Sequence, residues 1–306
     1  MSFEITILGS SSALPTSKRS TTAHLLNINE RFFLLDCGEG VQIQLRKFRL
    51  SPARINHIFI SHMHGDHVFG LFGLLSSLGM MGRKADLNIY GPEKMEEMLD
   101  NHLSFFGPLP YKLKFHIPVA GEVVYEDSKT EVVPIDLLHR TQTFGYIFRE
   151  KAKAMNLDKD KLEEYNIGIE ARVKIKNGAD FITEEGKTIK NKDLTMKPWL
   201  IRSYAYISDS GFKPSLADKI QGVDLLYHEA TFLERDKKLA KKTLHSTARQ
   251  AAEIALRAKA GKLLIGHFST RYKSEQEFVD EATELFNETI AVNDGDVFSI
   301  PLKRGQ

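Results

Sequence analysis

The sequence predicts an α/β protein whose strands are covered by helices on one face. Three observations carry that expectation. Short apolar runs bounded like strands, at residues 55–60 and 87–90, are followed by helical stretches, the first with apolar positions at helical spacing. From Lys112 to Arg149 strand-like patterns dominate. Beyond residue 198 the alternation resumes, so the chain falls into two halves of similar element content with no repeat at the residue level. With 306 residues, 42% of them hydrophobic, it can form one large domain or two closely packed halves.

In chain order, residues 3–8 alternate like a strand and run into a loop of small residues from Gly9 to Pro15. Residues 23–28 and 31–35 predict a hairpin around Asn29-Glu30. Asp36-Cys37-Gly38-Glu39-Gly40 is a glycine-bracketed loop that opens a helix at 41–48. Residues 55–60 read as a buried strand, and apolar positions 68, 71, 72, 75 and 78 predict a helix. Between them lies Ser61-His62-Met63-His64-Gly65-Asp66-His67. A strand at 87–90 precedes a helix at 93–102, and a strand at 131–138 runs straight into His139. Later strands are expected at 200–208, 223–228 and 262–266, and closing strands at 289–292 and 297–302. Helices are expected at 236–242, at 247–260 with alanines along the inner face, and at 274–286.

Residues 150–198 differ from the rest. Apolar residues are sparse, turn signals recur at Asn177-Gly178 and Glu185-Gly186, and twelve Lys/Arg face ten Asp/Glu between Arg149 and Lys197. A highly charged yet balanced stretch reads as a projecting insertion rather than core, with a disordered tip.

The chemistry concentrates in residues 61–67. Three imidazoles and a carboxylate crowd into one strand-to-helix loop, where no packing need explains them. Such ligands suit zinc, and His62 and His64 can turn both rings to one side of the loop. Four further polar residues lie where a predicted strand ends: His139, Asp209, Glu229 and His267. Strand ends on one edge of a sheet converge, so residues distant in the chain can build one site. Singly each reads as an ordinary surface or core residue; with the histidine loop they read as a metal constellation.

Taken together, His62-x-His64-x-Asp66-His67, His139, Asp209 and His267 resemble the ligand set of the metallo-β-lactamase superfamily. Within it, Asp36-Cys37-Gly38-Glu39-Gly40, His228-Glu229-Ala230-Thr231-Phe232 and His245-Ser246-Thr247 resemble the ribonuclease Z family of endonucleases, which remove 3′ trailers from tRNA precursors. The likeness spans nearly the whole chain and implies an αββα sandwich, taken here as a single domain over 1–306. It implies two Zn²⁺ per subunit, one on His62, His64 and His139, the other on Asp66, His67 and His267, with Asp209 bridging. Paired metals can activate a hydroxide and clamp the scissile phosphate. Asp66 is placed to orient that hydroxide and accept its proton. His245 is the candidate acid for the leaving 3′ oxygen, and Glu229 on its other ring nitrogen would fix the tautomer.

The resemblance further implies a homodimer, with the insertion acting as a tRNA-clamping arm at 150–198. The chain departs from the family pattern in three places. Ser208 and Ser210 flank Asp209 where Gly and Thr are usual, Ser20 rather than Asn follows Arg19, and the arm lacks its Gly-Pro pair.

Composition narrows the setting. The single Cys37 excludes an internal disulfide and fits a reducing cytoplasm. The first residues carry no basic and long apolar run, so no signal peptide is expected, and no apolar stretch is long enough to predict a membrane span. A net charge of +2 leaves any nucleic-acid surface to a local patch, and precursor tRNA rather than DNA is the expected partner. Arg235, Lys237, Lys238, Lys241 and Lys242 form one such patch, with 237/241 and 238/242 sharing a helix face. A small-molecule phosphodiesterase of the same fold shares every metal ligand but has no need of a long charged insertion. A non-catalytic relative has no need of a full ligand set.

Overall fold

The computed structural model describes residues 2–305. The chain divides into two compact units. The larger comprises the residues up to Arg149 together with Ser203–Ile300; the smaller comprises Glu150–Arg202 with the residues after Ile300.

The larger unit contains two seven-stranded sheets. In the first, β1 (Phe3–Gly9), β2 (Ala23–Ile28), β3 (Arg31–Leu35), β4 (Ile55–Phe59), β5 (Leu87–Tyr90) and β6 (Leu113–His116) lie side by side in chain order. The second begins at its edge with β7 (Tyr125–Glu126), β8 (Thr130–Asp136) and β9 (Phe144–Glu150). Beyond two short strands of the smaller unit, β10 (Phe181–Ile182) and β11 (Thr188–Ile189), it continues through β12 (Ser203–Ile207), β13 (Leu225–Glu229), β14 (Leu263–Gly266) and β15 (Thr289–Ala291). The last strand, β16 (Val297–Ser299), returns to pair antiparallel with β1. The hairpin between β2 and β3 turns on Asn29 and Glu30, both at positive φ (51° and 69°) as a type I′ turn requires.

Apolar side chains form three layers. Between the sheets lie Ile5, Phe33, Phe59, Phe148, Tyr206 and Leu264. On the outer face of the first sheet, Leu45, Leu71, Leu74, Leu78 and Leu99 bring in α1 (Val41–Lys47), α3 (Gly70–Met80, after the single turn α2, Gly65–Val68) and α4 (Lys94–Phe106). Three helices of the smaller unit follow in the chain: α5 (Lys159–Glu164), α6 (Ile169–Lys176) and α7 (Asn191–Leu194). On the outer face of the second sheet pack α8 (Leu216–Lys219), α10 (Ala248–Ala258) and α11 (Gln276–Thr283), with α9 (Lys237–Thr243) preceding α10 in the chain.

Two sheets therefore lie back to back, each covered by helices on its outer face, which is the αββα sandwich that the resemblance implies. The alanine stripe of α10 (Ala248, Ala251, Ala252, Ala255, Ala258) is fully buried. Its first turn is closed by a capping box between Thr247 and Gln250.

The smaller unit corrects one expectation. Where composition predicts no core and a disordered tip, residues 159–194 build α5, α6, the β10–β11 pair and α7 around Leu162, Ile167, Ile175, Ile189 and Leu194. Those five apolar residues are too widely spaced to produce a periodic pattern, which is why the stretch reads as polar. Asp158 caps α5 by accepting from the N–H groups of Asp160 and Lys161.

Candidate metal centre

Parallel pairing of β3 with β4, and of β12, β13 and β14 with one another, sends the carboxyl ends of these strands the same way within each sheet. Asp36 follows β3, residues 60–67 follow β4, Asp209 lies two residues past β12, Glu229 ends β13 and His267 is the first residue past β14. His139 lies three residues past β8, because that strand ends at Asp136 rather than at the expected 138. Close backbone contact fixes the histidine loop against residues 36–38. The Cys37 N–H donates to the His67 carbonyl (2.8 Å), and the Gly70 N–H donates to that of Cys37 (2.9 Å). A Cβ on Gly70 would fall 2.0 Å from the Gly38 carbonyl oxygen, so only glycine permits the approach.

Every predicted ligand arrives in one place. His62, His64, His139 and Asp209 form one group of donor atoms within 4.8 Å of one another, and Asp66, His67 and His267 form another. Asp209 faces both. Its Oδ2 lies 3.6 Å from His62 Nε2, and its Oδ1 lies 3.4 and 3.1 Å from His67 Nε2 and His267 Nε2. Asp66 Oδ2 stands 3.5 Å from each of the same two nitrogens and accepts from the Ala13 N–H at 2.8 Å.

The rings are held from behind. His67 Nδ1 donates to Asp36 Oδ2 (2.8 Å), and His139 Nδ1 donates to the Leu244 carbonyl (3.0 Å). Ser61 Oγ donates to Asp36 Oδ2 (2.8 Å) and so accepts from His62 Nδ1 (3.0 Å). Each bond places the ring proton at Nδ1 and leaves Nε2 bare toward the group. His62 Nε2 and His139 Nε2 both converge on His64 Nδ1, at 2.9 and 3.4 Å. His67 Nε2, His267 Nε2 and Asp209 Oδ1 are buried with no hydrogen-bond partner among the described residues. Inward-facing lone pairs and buried acceptors without a partner are the signature of a site for cations. Five imidazoles and two carboxylates without a thiolate fit borderline divalent ions such as zinc.

Electrostatics points the same way. Burial, then the neighbouring His67, holds the His62 imidazole well below its usual range, and burial likewise lowers His139. At His67 burial is outweighed by Asp209, Asp66 and Asp36, which hold its pKa well above the usual range, so that a cation bound at Nε2 would take the place of a second ring proton. A positive charge is thus favoured at the heart of the second group. For Asp66 and Asp209 burial is again outweighed, chiefly by His67 and by His267 respectively, and both carboxyls stay ionised.

Glu229 and His245 pair beside this centre. His245 Nδ1 donates to Glu229 Oε1 at 3.0 Å, and the ring stands 4.0 Å from Asp209 Oδ2. Burial works against the imidazolium, but Glu229 and Asp209 prevail and push its pKa up to about 9. Glu229 is fully buried and also accepts from the N–H groups of Ser210, Ser246 and Thr231 and from Thr231 Oγ1. It ties together the ends of β12 and β13 and the loop before α10.

Comparison with known proteins decides the family. The ribonuclease Z of Bacteroides thetaiotaomicron is 46% identical over 291 residues, 94% of this chain and 92% of that protein. The chain belongs to the ribonuclease Z family. As a member it is an endoribonuclease, a hydrolase. The crystal structure of the short form of human tRNase Z superposes with a TM-score of 0.70 at 25% identity, over 97% of this chain and 99% of that one. A metallo-β-lactamase fold protein of Bacillus subtilis, YhfI, matches with a TM-score of 0.70 at 17% identity, over 97% and 98% of the two chains. It shows the fold. A family profile described as anti-Pycsar protein Apyc1 matches residues 3–106, which carry the histidine loop but not His139, Asp209, Glu229, His245 or His267.

Three residues that lie within the sequence motifs gain a role only in the structure: Asp36, Ser61 and Thr231. Asp36 is detectable in principle, since it ends β3 as Asp209 and His267 end their strands. It stands at φ 53°, in the left-handed region, fully buried and accepting also from the Ser61 N–H (2.7 Å) and the Tyr206 hydroxyl (2.6 Å). The basic run is smaller than its sequence suggests, because Arg235 pairs with Glu277 (2.6 Å) and Lys237 with Glu234 (2.7 Å).

Proposed function

We propose that the chain removes 3′ trailers from precursor tRNA, cutting after the discriminator nucleotide and leaving a 3′ hydroxyl on the tRNA. The observation that carries this reading is the Glu229–His245 pair set against the two His/Asp groups, in a chain whose relatives are named ribonuclease Z. His62, His64 and His139 would hold one Zn²⁺, Asp66, His67 and His267 a second, and Asp209 both. Bound there, the two ions would supply an activated water and neutralise charge on the phosphate oxygens. Asp66, next to the open side of the second group, orients the attacking water and takes its proton. Glu229 holds the Nδ1 proton of His245 and thereby aims the opposite ring nitrogen outward, where its proton can pass to the leaving 3′ oxygen. Removing that leaving-group proton source should cost far more with a natural phosphodiester than with an aryl ester, whose leaving group needs no acid.

The arm at 150–198 is assigned to gripping tRNA, and the protein to the cytoplasm as a homodimer. Support for a self-associating surface is the apolar exposure of α3 and α4, where Met80, Phe105 and Phe106 are 81%, 83% and 77% exposed. No helix among the described residues is long and apolar enough to cross a membrane.

The test is incubation of zinc-loaded protein with a precursor carrying a short 3′ trailer, wild type beside His245→Ala. Trailer release that is greatly slowed in the variant, with zinc retained, is the expected result. No cleavage by fully metallated wild type, with turnover of a small phosphodiester intact, would instead support a small-molecule phosphodiesterase. Deleting 150–198 sharpens the choice: small-ester hydrolysis should survive and tRNA processing should not.

A further inference from the structure

We propose that Thr231 is a positioning residue for His267: its side-chain oxygen sets the imidazole tautomer that presents a bare Nε2 to Asp66 and Asp209. The inference rests on the reading of the second His/Asp group as a metal site given above.

Counting protons fixes the direction of each bond around Thr231. Thr231 Oγ1 has three polar neighbours: Glu229 Oε2 at 2.7 Å, His267 Nδ1 at 2.9 Å and His245 Nδ1 at 3.3 Å. A hydroxyl carries one proton and two lone pairs, and a carboxylate only accepts. The shortest contact therefore takes the hydroxyl proton to Glu229, a charge-assisted bond that outcompetes the alternatives. What remains on Oγ1 toward His267 is a lone pair, so Nδ1 of His267 must donate. A neutral imidazole has one N–H. With it committed at Nδ1, Nε2 is left as a lone pair, and that atom is buried and without a hydrogen-bond partner among the described residues.

The surroundings leave the ring little choice. Thr231 and His267 are each 3% exposed, so water does not compete for Oγ1. His267 stands at φ 62°, in the left-handed region, with its N–H given to the Ser10 carbonyl (2.9 Å). The Ser269 N–H donates back to the Thr231 carbonyl (3.2 Å), fastening the two loops together. The same hydroxyl thus joins two functions. Glu229 reaches His245 through Oε1 and His267 through Oε2 and Thr231, so one carboxylate orients both the candidate acid and a candidate ligand.

The experiment measures zinc affinity of the full-length protein by competition with a chelator, in wild type, Thr231→Val, Thr231→Ala and Thr231→Ser. Valine keeps the shape and removes the hydroxyl, and alanine does so with less strain should valine disturb folding. Serine keeps the hydroxyl and loses the methyl. Loss of an orienting partner should weaken one of the two zinc sites by about 10–100-fold in the Val and Ala variants. The Ser variant should stay within about threefold of wild type, and the site on His62, His64 and His139 should be unchanged throughout. Unchanged affinity at both sites in Thr231→Val overturns the proposal. Equal weakening in Thr231→Ser overturns it as well, since the methyl and not the hydroxyl would then matter. Wild-type protein that takes up no zinc would overturn the metal reading itself, a distinct and recognisable failure that removes this assignment with it.

Discussion

The two His/Asp groups share Asp209 yet are supported differently. In the first, His139 is steered by a main-chain carbonyl, that of Leu244, and His62 by the hydroxyl of Ser61. In the second, His67 is steered directly by the Asp36 carboxylate, and His267 by Thr231 with Glu229 behind it. The second group is also the richer in charge, with Asp66 and Asp209 both against His67 and His267. A carboxylate behind an imidazole raises its basicity as a ligand more than a neutral acceptor does. The second group should therefore bind its cation more tightly and suffer more from substitutions behind its ligands.

The largest effect should come where the difference disappears. Asp209→Ala removes the residue common to both groups, and activity should fall by roughly 10³-fold or more, about 4 kcal/mol of lost transition-state stabilisation. Metal analysis should show less than full occupancy at both groups; loss confined to one would break the symmetry claimed for Asp209. His245→Ala removes none of the seven proposed ligands, so zinc content should hold while trailer cleavage drops by about 10²–10⁴-fold, the range of general acid catalysis.

Substitutions behind the ligands then separate the groups. Asp36→Asn keeps the shape but trades a carboxylate that accepts at both oxygens for an uncharged amide with one accepting oxygen. Zinc affinity at the second group should weaken by about 10–100-fold with the first much less affected, as read by stepwise competition with a chelator. Equal weakening of both would show that Asp36 acts mainly through Ser61 and His62.

The smallest effect is expected at Leu244, which stands at φ 59° with its carbonyl on His139. Leu244→Gly relieves a left-handed conformation costing about 1–2 kcal/mol, offset by lost packing and by a more flexible unfolded chain. Thermal stability should change little, and the affinity of the first group should stay within about threefold because the acceptor is main chain. A large affinity loss would mean that the Leu244 side chain, not its carbonyl, positions the loop.

What could be read from the sequence follows the range of the interactions. The histidine loop is visible because its four donors are packed into six residues between a strand and a helix, a spacing no core needs. Asp209, Glu229 and His267 are visible because a strand pattern stops beside each of them. His139 is less sharply marked, because its strand ends two residues sooner than the apolar run suggests. Asp36 shows only as a strand end, and the parts played by Ser61 and Thr231 do not show at all, because they depend on atoms met across the chain: Asp36 bonds Ser61, His67 and Tyr206 over 25, 31 and 170 residues, and Thr231 bonds His267 over 36. Tyr206 bonding Asp36 is the extreme case.

The departures from the family pattern turn out to be bonded rather than idle. Ser210 gives its N–H to Glu229 and accepts at Oγ from the Leu138 N–H (3.2 Å), and Ser20 gives its N–H to Asp294 (2.6 Å). The arm was legible only as a change in composition. Its five core residues are scattered over 33 positions, and α5, α6 and α7 are too short for periodicity to emerge.

The central claim is that two cations sit side by side with Asp209 between them. Anomalous scattering at the zinc edge from crystals of the zinc-loaded protein tests it most directly. The account predicts two peaks, one enclosed by His62, His64 and His139 and the other by Asp66, His67 and His267, each with an oxygen of Asp209 in its coordination sphere. A single peak, or two peaks with Asp209 bound to only one, would contradict it.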